Sequence, residues 1–400
     1  MPMASPSWLE EVRQRANAAL ARPAAYGLDV DVTQFGDGRA APDEEAVAAA
    51  VKKAGVSTAA QAYYVQADNA YFRYLSRIPG VEVYRLEEFV ETHRDLVRDY
   101  LWRLVPPDLD KYTAVAALRG TGGYVIRVKS GVKVKEPVLA CLSIVRGGLQ
   151  APHNVVIVEE GAQATVYTGC VIAPEAVGLH VGISEFYVMP KAKLRFIMVH
   201  NWNRAAHVRP RTGVLVGEGG EYIEYYANLA AVKTLQTSPR IWLGDAAKAH
   251  TTSILLSLGD AEIDVGTTAL LEGNGAAAEL ATRAIATDKA VVTMRVLVEA
   301  HAPAKGHVEC SGPLVSPSAN VDTIPQLAAR HHDAMLTHET SVGKLAEGEI
   351  NYLQEKGFTY DEAVSLLVRG FITTDVHRYL PEQARRYIEQ IEKLIVEKAL

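Results

Sequence analysis

The chain has 400 residues, 48% hydrophobic and 22% charged, with a formal net charge of -6. This describes a globular protein long enough for one extended core or two to three domains, and an acidic balance without Lys/Arg clusters excludes a nucleic-acid partner. No apolar run approaches the roughly 18 residues of a membrane span, and Glu10 and Glu11 stand where a secretory signal would be basic and then apolar, so no membrane partner and a cytoplasmic location are expected.

In chain order, the first hundred residues read as helical. Ser7, with Glu10 three positions on, forms a capping box for "WLEEVRQRANAAL". "RLEEFVETHRDLVRDYLWRLV" places Leu86, Phe89, Val90, His93, Leu96, Val97 and Leu101 near a 3.6-residue period and stops at Pro106-Pro107. A helical domain over 1–115 is expected.

From about Thr121 the period changes to two. "YVIRVKSGVKVKEPVLACLSI" alternates apolar and polar residues, and short strand-like runs continue for about two hundred residues. A small-residue turn followed by a strand recurs at 161, 190, 219, 259 and 288, in steps of 29, 29, 40 and 29, with further turns at Gly244 and Gly273. Units of this kind bury their apolar faces only by stacking on neighbours, which favours a β-helix over 116–336; an ordinary sandwich is the competing arrangement.

After Thr337 the helical signal returns, giving a C-terminal helical domain over 337–400. Glu347 to Lys356 is amphipathic and ends at Gly357, Thr359 and Glu362 cap "DEAVSLLVRGF", and Pro381 opens a last helix. These helices either close the open end of the solenoid or offer a docking platform.

Cys141, Cys170 and Cys310 are odd in number and widely separated, so they form neither a disulfide framework nor a zinc knuckle and would act as free thiolates. Each has a plain competitor, since a buried free Cys behaves as a small hydrophobe. Cys141, in "VLACLSI", reads as core, and the adjacent His331 and His332 read as a solvated pair rather than as ligands.

Several longer stretches resemble one family. "WLEEVRQRA", "VPPDLDKYTAVAALRGTGGYVIRVKSGVKVKEPV", "YTGCVIAP", "HNWNR", "ECSGPLV" and "THETSVGKLAEGEINYLQEKGFTYDEAVSLLVRGF" are similar, in the same order, to the SufB/SufD scaffold family of the SUF iron–sulfur cluster assembly system. The resemblance implies a right-handed parallel β-helix between helical ends, with a SufC-type ATPase held by the C-terminal helices. It looks closer to SufB. Cys310 falls at the thiol implicated in holding the nascent cluster, Glu339 at a glutamate of similar role, Cys170 at the cysteine that accepts sulfur from a donor system, and Trp202 at a tryptophan lining the sulfur route. Three departures stand out: His200 replaces the usual Gln, no lysine follows on that route (Arg209 and Arg211 are the nearest basic residues), and the N-terminal cysteine motif of some bacterial members is absent.

Chemistry is compatible with that reading. Clusters take soft thiolates, while carboxylate or imidazole fills a labile position, so Cys310 with Glu339 or His338 is a weak, mixed set suited to release. On an extended segment His338 and Glu339 point to opposite faces, so only one can face Cys310; the resemblance favours Glu339. Cys170 and Cys310 are 140 residues apart, about five turns, or some ~20–25 Å along stacked strands, which requires sulfur to travel along or through the β-helix. With no Walker-type loop, ATP hydrolysis belongs to another chain. Ligand counting favours a self-paired scaffold flanked by two SufC subunits over a SufD-like heterodimer, and nothing in the sequence decides whether a reduced flavin takes part. The alternatives are a thiol hydrolase using Cys310 and His338, or a carbohydrate-binding β-helix; the first lacks a local signature and the second an aromatic-rich face.

Overall fold

The computed structural model describes residues 6–38, 40–228, 230–345 and 347–372. Over these the chain is mainly β, a β-solenoid of about eight turns with helices at both ends. Its strands form two facing sheets of ten and thirteen strands. Neighbours are parallel except where Ala62–Ala67 pairs with Tyr71–Ser76 and Val81–Arg85 with Tyr124–Val128. In the ten-stranded sheet, Gln163, Lys193, Glu221, Lys248, Ala277, Lys305 and Met335 stand in register, so each turn takes 27–30 residues.

The corners explain why the turns recur. Gly161, Lys191, Gly219, Ala246 and Gly275 occupy equivalent corners with φ from 53° to 73°. Each donates its N–H to the carbonyl of the corner one turn on (Pro190, Glu218, Asp245, Asn274 and Pro303) at 2.8–3.0 Å. A left-handed conformation costs a non-glycine residue about 1 kcal/mol or more, which the corner hydrogen bond helps offset at Lys191 and Ala246. The irregular 40-residue step also has a cause. The turns at 161, 190 and 219 precede strands of one sheet, whereas those at 259 and 288 precede Glu262–Leu271 and Val291–Ala300 of the other.

Inward-facing Val, Ile, Leu, Phe and Ala residues of both sheets form one continuous core, and helices plate the outside. Val47 of Glu44–Lys53 and Ile350, Ala363 and Val364 of the C-terminal pair cover the outer face of the ten-stranded sheet. Phe89, Val97 and Leu101 cover part of the other. The joint is polar as well. The buried Glu185 carboxylate accepts N–H bonds from Trp102, Arg103, Leu104 and Val105 and a 2.7 Å contact from His153 Nε2. Arg211 pairs with Asp110 at 2.7 Å, and Arg209 donates to the Leu28 carbonyl.

Three strands, Ala62–Ala67, Tyr71–Ser76 and Val81–Arg85, lie within the stretch read as helical. The long helix expected from Leu86 onward is two short ones, Leu86–Thr92 and Val97–Tyr100, because the chain breaks at His93 and again at Trp102, whose φ is 58°. The first helix is described over Pro6–Ala19, which puts Ser7 inside it rather than at its cap. At the other end, Met335–Lys344 is still a solenoid strand and carries His338 and Glu339. Helix Glu347–Glu355 ends at Gly357 (φ 98°), and the capping box forms: Thr359 N donates to Glu362 Oε2 at 2.7 Å and Glu362 N to Thr359 Oγ1 at 3.2 Å. The helix expected from Pro381 lies outside the described residues. No described helix is long and apolar enough to cross a membrane.

Candidate functional site: an inward column between two buried thiols

Cys310 sits on strand Lys305–Leu314, in register with Thr282 on one side and Thr340 on the other. It is fully buried and faces the interior. Burial pushes its thiol up to about 11, with the Glu309 carboxylate adding to the effect. It is therefore a protonated thiol at neutral pH, whereas a hydrolase nucleophile needs a lowered pKa. Among the expected ligands, His338 is in register with the inward-facing Val308, two positions before Thr340, and so shares the face of Cys310. Glu339 is in register with Glu309 on the opposite face, where Arg283 pairs with Glu309 at 2.9 Å. Both His338 and Glu339 are exposed, because no further described strand covers Met335–Lys344.

Cys170, on Gln163–Ile172, is also fully buried and inward, and burial holds its thiol well above the ordinary value. Its register neighbour is His200. Around them lies a neutral polar cluster. His200 Nδ1 meets Tyr226 Oη at 2.9 Å, and the Trp202 ring lies 5.1 Å from both His200 and His180. His180 Nδ1 contacts Gln150 Oε1 at 3.0 Å. Burial lowers His180 to about 3 and His200 well below the usual imidazole range, so neither carries charge at neutral pH. His200 Nε2 and Trp202 Nε1 are buried without a hydrogen-bond partner. Cys141 points to the other face of the sheet, into the core beneath the outer helices.

The two thiols are not together. Five strand-to-strand steps separate their strands, which at about 4.8 Å each is ~24 Å. From Cys310 an inward column of register partners runs back through Thr282, Ser253, Tyr226 and Met198 to Thr168, two positions before Cys170 on the same face; the register row of Cys170 itself is His200, Asn228, Leu255 and Ala284. Midway, a cavity of about 30 Å³ opens between the sheets, lined by Glu224, Tyr226, Ser253 and Thr282 on one side and by Thr212, Thr237 and Thr267 on the other. It has room for about two waters. Burial raises the Glu224 carboxyl to about 7. Glu224 is absent from the sequence reading, although a signal exists: in "EYIEYYAN" the inward positions are Tyr222, Glu224, Tyr226 and Asn228, a carboxyl where the alternation calls for an apolar side chain. Arg209 and Arg211 are turned outward to the N-terminal segment and take no part in the column.

Residues 143–371 match the family described as SUF system FeS cluster assembly, SufBD core domain. The chain belongs to the SufBD family. It is 38% identical to an iron-sulfur cluster assembly SufBD family protein of Archaeoglobus fulgidus over 82% of this chain and 90% of that protein. A Methanothermobacter thermautotrophicus protein of the same description is 34% identical over 94% of this chain and 96% of its own length. The Pyrococcus horikoshii SufBD family protein PH1385 is 31% identical over 79% and 71%, respectively. The SufBD match takes in the whole column, from Thr168 and Cys170 to Cys310, and His338 and Glu339 beyond it.

Proposed function

We propose that this chain is a SufB-type scaffold that receives sulfur at Cys170 and builds a nascent iron–sulfur cluster at Cys310. The observation that carries this reading is the inward column, which runs from the Cys170 level to Cys310 and ends beside the uncovered last strand. Cys310 supplies one thiolate, His338 an imidazole on the same face, and Glu339 a carboxylate on the other face, open to an approaching chain. A cluster usually takes four protein ligands, so the set is completed by a second scaffold chain, and the strand edges of the last turn, uncovered among the described residues, offer the surface for pairing. A two-fold homodimer is the favoured arrangement and a SufD-like heterodimer the alternative.

The partner that hydrolyses ATP is a SufC-type ATPase. Its docking surface is the C-terminal helical pair, which buries Ile350 and Val364 against the solenoid yet leaves Tyr352, Phe358, Tyr360 and Leu366 exposed. Iron and sulfide are cargo here, and the chain acts in the cytoplasm as an assembly platform rather than as an enzyme.

Anaerobic reconstitution tests the reading. Cys310→Ala abolishes cluster absorption while the protein stays folded, since the lost sulfur leaves only a small void. Cys170→Ser fails with the sulfur donor and is rescued by chemical sulfide. Normal assembly by Cys310→Ala, or no rescue of Cys170→Ser, refutes the assignment. Mass measurement of the complex with the ATPase decides between the self-paired and mixed scaffolds.

A further inference from the structure

The turn that feeds the last strand carries three consecutive side chains able to bind a metal, and none has a place in the column. His331, His332 and Asp333 lie between Asn320–Ala329 and Met335–Lys344, and one ligand atom from each falls within 4.8 Å of the other two. His332 Nε2 is 3.0 Å from Asp333 Oδ1 and His331 Nδ1 is 3.9 Å from Asp333 Oδ2. Donors at about 2.1 Å from one ion stand roughly 3 Å apart when they occupy neighbouring positions. The first pair already has that spacing; the second, to the other carboxylate oxygen, exceeds it by less than one ångström and closes by rotation of the exposed side chains.

The turn is held in place. Ala334 N donates to the His331 carbonyl at 3.1 Å, and Arg330 N and Met335 N donate to Ala300 and Ala304 of the preceding turn. Asp333 N donates to His331 Nδ1 at 3.2 Å, a long hydrogen bond that holds the ring on the Asp333 side of the turn and that a metal bound through Nδ1 would replace. Arg330, next to the cluster in sequence, is held by Glu299 at 3.0 Å.

We infer that His331, His332 and Asp333 form a binding site for a first-row divalent metal ion, with ferrous iron the cargo it would take on this scaffold. Two imidazoles and one carboxylate on one side of a turn leave several coordination positions to water, the pattern of open Fe(II), Co(II) and Zn(II) sites. The cargo clause rests on the assembly reading above, and it answers a difficulty in that reading. Cys170 and Cys310 are both fully buried, so neither offers a first encounter to aqueous iron. The turn, by contrast, is exposed. It also leads directly into the strand of His338, five residues on.

Cobalt(II), a visible stand-in for ferrous iron, is titrated anaerobically into the full-length protein. Wild type and Cys310→Ala both bind one ion with micromolar affinity and gain thermal stability. The His331→Ala/His332→Ala protein loses about tenfold or more in affinity while its metal-free melting temperature is unchanged, and Asp333→Asn shows a smaller loss. Equal affinity in the double variant, or wild-type binding only at millimolar cobalt, overturns the site. Cluster assembly at limiting ferrous iron is slowed in the double variant and restored by excess iron; an unaltered rate overturns the cargo clause. If no form of the protein assembles a cluster, the assembly reading fails while the cobalt result stands.

Discussion

Cys310 and His338 lie on one face of neighbouring parallel strands, two positions apart in register, while Glu339 is turned to the other face beside Glu309. Within a single chain the imidazole is therefore the better-placed second ligand. His338→Ala is expected to remove most of the cluster absorption in anaerobic reconstitution, and Glu339→Ala less of it. The reverse order would mean that the carboxylate, reaching the cluster from the far face or from a second chain, is the ligand that matters.

The state of the Cys310 thiol sets a second expectation. A thiol raised to about 11 carries roughly two orders of magnitude less thiolate at neutral pH than a free cysteine near 8.5. Alkylation of Cys310 by iodoacetamide is expected to be slow at neutral pH and to rise with pH up to about 11, and metal loading is expected to release a proton. Mass spectrometry of the labelled peptide checks the first point; fast neutral labelling would show that the strand opens to solvent.

Glu224 titrates close to neutrality. Its folded value is raised from 4.5 to about 7, so the folded protein holds that proton more tightly than the unfolded chain does. The stabilisation this gives is complete below about pH 4.5 and is lost as pH rises through about 7, at most roughly 3 kcal/mol. His180 and His200 act in the opposite sense, their neutral burial losing stability as pH falls below 6.5. Both occur in Glu224→Gln as well, so comparing the two proteins isolates Glu224. The melting temperature of the variant minus that of wild type is expected to increase from about pH 5 to about pH 8; a flat difference would place the carboxyl in water.

Glu185 is a structural fastener. Its carboxylate collects four backbone N–H groups of the 102–105 segment, and Glu185→Gln sets an NH2 group against donors. A loss of about 3 kcal/mol is expected, read from the urea midpoint, with faster amide exchange confined first to 102–105. Unchanged exchange there would mean that apolar packing alone holds the segment.

The solenoid was legible because its signal repeats: every corner needs a tight turn, and the turns at 161, 190 and 219 mark the repeat directly. The three early strands were not. Ala62–Ala67 is buried on both faces, so "AYYVQA" shows no alternation to distinguish it from a buried helix turn. The break at Trp102 depends on Glu185, 83 residues away, and no local pattern reports such a partner. At the site, Cys170, Trp202, Cys310 and Glu339 stand out through resemblance alone, since a thiol in a strand looks like core. Register then supplied what the sequence left open, namely which of His338 and Glu339 shares a face with Cys310.

The corner hydrogen bonds make the solenoid a zipper. Each turn is clasped to the next, so an interior turn has two neighbours to hold it, whereas the final one, bearing His338 and Glu339, has only one among the described strands. In a nearest-neighbour stack, stability is a sum over such contacts, and unzipping begins where a contact is missing. Among the described turns the ligand-bearing one is thus the least firmly closed, and a second chain added there would supply a further neighbour. Docking and ordering of the cluster ligands would then be a single event, reversed when the chains are pulled apart.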